Sequence, residues 1–150
     1  MALNREQYWE IDRHYYSKAR AVLDEARNHL KTFKYELGVR RAQEAFELFL
    51  KTIFMLIEKE YPKEHDISSE IYKLVSLLKE VGFSNQKVAQ LVLRNKTLSL
   101  WRERSFYGDE KLRVSGIFGE NEARTALKYA EEIDWDCSRV KSEVMRKSSP

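Results

Sequence analysis

The stretch from Tyr35 to Glu60 most restricts what this chain can fold into. Ala42, Phe46, Phe49, Ile53 and Leu56 recur at spacings of three and four, the period of one helical face. Leu48, Leu50, Phe54, Met55 and Ile57 widen that face until only a narrow polar strip remains, through Arg40, Glu44, Glu47, Lys51 and Glu58. A helix apolar over most of its girth is buried on more than one side. It is expected at the centre of a helical bundle, and in part at a subunit contact.

The flanking segments read as further helices. Tyr8, Ile11, Tyr15, Ala19, Val22, Ala26, Leu30 and Phe33 mark one long amphipathic helix from about Asn4 to Phe33, with Arg13, Lys18, Arg20, Asp24 and Arg27 on its solvated side. A short turn near Lys34 makes the first two helices an antiparallel hairpin. Tyr61-Pro62 stops the central helix, because proline disfavours helical geometry in the residue before it. After a loop at 63–66, with Asp66 or Ser68 as N-cap, Ile67, Ile71, Leu74, Val75, Leu78 and Val81 form a third helix that Gly82 ends as a left-handed cap.

Ser84 or Asn85 opens a fourth helix through Val88, Leu91, Val92, Leu98 and Trp101, running out near Tyr107-Gly108. Residues 109–119 read as a loop. Asn121 caps a last helix with the stripe Ala123, Leu127, Ala130, Ile133, Cys137, Val140 and Val144, and a frayed tail follows from Met145 to Pro150. Trp9, Trp101 and Trp135 read as core or interface anchors, since no basic patch interleaves with them.

Only five glycines and two prolines in 150 residues favour long helices over a many-turned β fold. The expectation is a single all-α domain over 1–150, an up-and-down bundle of four to five helices with its core at about 8–144. A net charge of +3 permits contact with phosphates but excludes a strongly basic nucleic-acid-binding tail. Cys137 is alone, which excludes an intramolecular disulfide and a cysteine metal motif. His14, His29 and His65 are too far apart for a zinc spacing, so neither metal nor cofactor is expected. No apolar run is long enough to span a bilayer, and Met1 to Glu6 is not a signal peptide, so the expected address is the cytoplasm with no membrane partner.

Several pieces of the chain, in order, resemble one family. Gln43-x-Ala45-x-Glu47-x-x-x-Lys51 resembles the signature helix of HEPN domains (higher eukaryotes and prokaryotes nucleotide-binding). His65-Asp66-Ile67 resembles that family's short His-Asp-Leu element. Arg102-Glu103-Arg104-Ser105-Phe106-Tyr107-Gly108-Asp109 is similar to an Arg-x4-Tyr-Gly-Asp version of its active-site motif. The resemblance covers roughly Tyr8 to Val144 and implies a bundle that usually dimerises, with the Arg102 regions of two chains facing one cleft.

What the resemblance implies chemically depends on one substitution. HEPN ribonucleases use Arg-x4-6-His, paired across a dimer, to cut RNA without a metal. The arginine would hold the scissile phosphate and the histidine would move the proton of the attacking 2′-hydroxyl. Here Arg102 is followed five residues later by Tyr107, and no histidine lies after His65. A phenol is only about 0.1% ionised at pH 7 and is a poor general base, so the reading leans away from an enzyme without closing the question.

The resemblance also implies a small nucleotidyltransferase partner in a toxin–antitoxin-like pair, which in some such pairs adenylylates the motif tyrosine. Arg102, Arg104, Tyr107 and Asp109 are then the nucleotide- or phosphate-binding candidates, with Arg102 and Tyr107 the catalytic pair if any catalysis remains. The alternatives are a metal-independent ribonuclease with a tyrosine-substituted motif, or a non-catalytic dimeric interaction bundle. Residue by residue, Arg102 and Arg104 also read as cations at a helix C-terminus, Tyr107 as rim packing, Glu47 and Lys51 as an intrahelical pair, and His65 as a loop hydrogen-bonder. Arg102 and Tyr107 lie about 140° apart on an ideal helix, so they share a pocket only if the helix ends or distorts between them.

Overall fold

The computed structural model describes residues 3–57, 68–107 and 118–148. Among these there is no strand. The chain runs through α1 (Arg5–Ile11), a π-helical turn (Asp12–Tyr16), α2 (Ser17–Lys31), α3 (Tyr35–Leu56), α4 (Ser68–Lys73), α5 (Val75–Glu80), α6 (Asn85–Tyr107) and α7 (Glu120–Ser148). α1, the π turn and α2 form one continuous rod, and α3 packs against both α2 and α7. The architecture is an all-helical bundle with α3 at its centre, as the girth of its apolar face requires. Phe46, Phe49, Leu50, Ile53 and Phe54 are all buried there.

The first rod departs from one regular stripe. Tyr15 was expected inside, but Tyr16 is the buried residue, its ring edge-on to Phe49 at 5.8 Å. The buried series is Tyr8, Ile11, Tyr16, Ala19, Val22 and Leu23, with a five-residue step between Ile11 and Tyr16. The wider π turn absorbs that extra residue and brings the stripe back into phase with the core. Tyr16 then donates a 2.9 Å hydrogen bond to Asp134 on α7. The Lys141 ammonium, ion-paired with Asp12, sits 3.7 Å from the Tyr16 ring centroid. Burial and the Asp134 hydrogen bond push the Tyr16 hydroxyl up to about 12. Burial also pushes up the Cys137 thiol, which makes it an inert core residue.

Two helix ends use the same closing geometry with different residues. After α5, Gly82 at φ 99° lets Phe83 N–H bond Leu78 O at 3.0 Å and Gly82 N–H bond Lys79 O at 3.1 Å. This is the Schellman pattern expected of the glycine. After α2, Phe33 takes that position at φ 61°, with Lys34 N–H on His29 O at 2.8 Å and Phe33 N–H on Leu30 O at 3.2 Å. Phe33 is not a core residue; it is 77% exposed and makes an edge contact with Tyr35.

Other boundaries shift as well. α3 ends at Leu56, with Ile57 as its cap, earlier than the Tyr61-Pro62 stop. The expected third helix is broken at Leu74, whose N–H bonds Ile71 O three residues back, and both pieces pack on α6. The Ser84 hydroxyl accepts from Lys87 N–H at 3.1 Å and caps α6 as expected. α7 starts at Glu120 and stays helical to Ser148 instead of fraying from Met145. The Tyr61-Pro62 stop, the His65-Asp66-Ile67 element and most of the 109–119 loop lie outside the described residues.

Candidate functional site

The buried stripe of α6 carries Val88, Leu91, Asn95 and Leu98 inward, and four residues further on it reaches Arg102. Arg102 is thereby aimed at α3, where the buried Gln43 and, one turn later, Glu47 of the polar strip face it. The three side chains close into a cluster. The Arg102 guanidinium donates to Glu47 Oε2 at 3.2 Å and to Gln43 Oε1 at 3.4 Å, and Gln43 Nε2 donates to the same Glu47 oxygen at 3.1 Å. Gln43 is buried, while the Arg102 and Glu47 side chains keep 29% and 22% of their exposure.

Arg102 is therefore not a plain surface cation at a helix end. A carboxylate and a buried amide both accept from one guanidinium nitrogen, Nη1, which anchors the group beside α3, and a guanidinium so placed is suited to charge-assisted contact with a phosphate. The same ion pair also offsets part of its charge. The intrahelical reading of Glu47 and Lys51 is incomplete: Glu47 serves Arg102 and Gln43, and the Lys51 ammonium lies 5.5 Å from the ring centroid of Tyr15, in the π turn. Beside the cluster, half-buried Trp101 packs on Phe118 with ring centroids 5.7 Å apart.

α6 remains helical through Tyr107, so no helix end intervenes between Arg102 and Tyr107. Their positions on the helix stay about 140° apart, so the helix end or distortion that one chain would need to bring them into a single pocket does not occur between them. The side chains of Arg104 and Tyr107, and all of Asp109, lie outside the described residues.

Sequence reasoning missed the joining of Gln43 and Glu47 to Arg102, although both had been singled out separately. Part of the signal was present: the α6 stripe extrapolates to Arg102 and so turns it inward, and Gln43 and Glu47 share one face of α3, but neither spacing says which helices meet. Trp9 and Trp135 are 50% and 69% exposed, so of the core-or-interface expectation only the interface half applies to them. Among the described residues no group of three His, Cys, Asp or Glu side chains could hold a metal ion. No helix among them is long and apolar enough to cross a membrane.

The HEPN domain family model matches residues 13–139. The chain belongs to the HEPN domain family. That span takes in the α3 signature helix, the whole of α6 with Arg102, and most of α7. Comparison with curated proteins and with solved structures gave no match.

Proposed function

We propose that this HEPN protein is nucleotide- or RNA-associated, that it works as a homodimer, and that it is the non-transferase half of a toxin–antitoxin-like pair with a minimal nucleotidyltransferase. The observation that carries the reading is the Gln43–Glu47–Arg102 cluster, a half-buried guanidinium held in one orientation at the motif. The HEPN family often pairs with nucleotidyltransferases, and a phenol at the motif in place of an imidazole suits an acceptor better than a base. The Tyr107 oxygen would attack the α-phosphorus of a nucleoside triphosphate held by the partner, pyrophosphate would leave, and the phenolic proton would pass to a base on the transferase. Because Arg102 and Tyr107 diverge on α6, the Arg102 that meets the phosphate on a given Tyr107 would come from the other protomer across the shared cleft, with Arg104 and Asp109 lining the same region. Leu93 and Leu100, exposed two turns apart on α6, supply apolar surface for a second copy.

The test is equilibrium binding of nucleotides and of single-stranded RNA to the wild type and to Arg102→Ala. A charge-assisted contact to phosphate is worth roughly tenfold or more in affinity, and the reading expects a loss of that size. Binding that survives Arg102→Ala unchanged overturns it. The Glu47–Arg102 ion pair itself favours a second reading, in which the cluster clasps α3 to α6 in a non-catalytic interaction bundle. Ribonuclease action is a third outcome, requiring RNA cleavage in chelator that disappears in Arg102→Ala and in Tyr107→Phe.

A further inference from the structure

The outer face of α7 carries a feature that the Arg102 cluster does not explain. Trp135 is 69% exposed and stands in an open groove of about 450 Å³, with Leu30 of α2 and Leu127 as the rest of its apolar floor. A tryptophan left this bare forgoes the burial that its large apolar area would otherwise gain. Among the described residues its indole meets no other ring and no cation.

The charges around the groove are mostly cancelled. Glu131 pairs with Arg27 at 3.5 Å, Glu132 with Arg94, Lys87 with Asp136 at 3.0 Å and Arg124 with Glu120 at 2.7 Å. Lys128 also lines the groove, is exposed, and has no ion-pair partner among the described residues. It precedes Trp135 by seven residues, which is two turns on the same face and about 10 Å along the axis. The groove thus pairs a flat, bare π surface with one uncancelled ammonium on the same face of α7.

We propose that this groove is a second nucleotide site, distinct from the Arg102 cluster and sharing no residue with it. A base stacks on the Trp135 indole, Leu127 and Leu30 cover its edge, and Lys128 takes the phosphate, with Arg124 one turn further along the same face. Stacking on an aromatic side chain tolerates any base, so the site selects base plus phosphate and not a sequence. The ligand is either a free nucleotide or one unit of a single-stranded RNA.

The two sources separate in one experiment. Anisotropy of a labelled short oligoadenylate is titrated with the intact protein, and ATP is then added as competitor. Trp135→Ala is expected to weaken the oligonucleotide roughly 5- to 100-fold, and Lys128→Ala to weaken it less while lowering the salt dependence by about one phosphate contact. Displacement by ATP identifies a free-nucleotide site, and resistance to ATP identifies an RNA-tracking surface. Wild-type affinity in both variants, or no binding of either probe to the wild type, overturns the proposal. A loss confined to Arg102→Ala overturns the groove and leaves the motif reading standing. A loss confined to Trp135→Ala and Lys128→Ala does the reverse.

Discussion

The Gln43–Glu47–Arg102 cluster makes a quantitative prediction through a double-mutant cycle. Arg102→Ala, Glu47→Ala and the double variant are compared with wild type by urea denaturation followed by circular dichroism. The ion pair is 3.2 Å long and keeps 29% and 22% side-chain exposure. It therefore lies between surface pairs, worth about 0.2–1 kcal/mol, and buried pairs, where losing one partner costs about 3–5 kcal/mol. A coupling of about 1 kcal/mol follows. Arg102→Ala should cost about 1–2 kcal/mol, since Glu47 keeps its hydrogen bond from Gln43. Glu47→Ala should cost more, about 2–3 kcal/mol, because it also removes an acceptor from the buried Gln43 amide. For a chain of this size those losses lower Tm by roughly 2–4 °C per kcal/mol. Additive single-variant effects, with coupling below about 0.3 kcal/mol, would show that the cluster does not fix Arg102.

Two further predictions concern the fold around the site. The Tyr16 hydroxyl is held at about 12 by burial and the Asp134 hydrogen bond, above its usual value near 10. The folded state thus favours the neutral phenol, and that stability is present in full below pH 10 and is lost as pH rises from 10 to 12. Tyr16→Phe should flatten the alkaline limb of the stability–pH curve in that window, and an unchanged limb would contradict the assignment. Phe33 sits at φ 61° while 77% exposed, a costly conformation for a residue with a Cβ. Phe33→Gly should raise stability by up to ~1 kcal/mol after the entropy that glycine adds to the unfolded chain. A loss of more than about 0.5 kcal/mol in thermal or urea unfolding would refute the strain.

Much of this fold is legible from period and capping alone. α3 is recognisable because its apolar girth leaves only the strip from Arg40 to Lys51 for solvent and partners. Gly82 announces its left-handed cap because glycine is the residue that adopts it freely. The same hydrogen-bond closure at Phe33 is invisible, because it falls on a residue that disfavours the left-handed conformation and so carries no glycine to mark it. The π turn is equally silent: Tyr15 and Tyr16 are the same residue type, and periodicity cannot tell which one the core takes. The break at Leu74 has neither glycine nor proline to mark it.

The candidate site is legible in parts. Gln43, Glu47 and Arg102 are each recognisable in their own motif, but their convergence depends on how α6 docks on α3, which sequence spacing within either helix does not encode. Trp135 illustrates the limit from the other side. Its position on a regular amphipathic helix says nothing about the groove that Leu30, from α2, builds beside it.

The most direct measurement for the proposed role is mass spectrometry of the protein after co-expression with a small nucleotidyltransferase. The account predicts a nucleotidyl adduct on Tyr107 that is absent in Tyr107→Phe and strongly reduced in Arg102→Ala. An unmodified Tyr107 in the presence of an active transferase would contradict it.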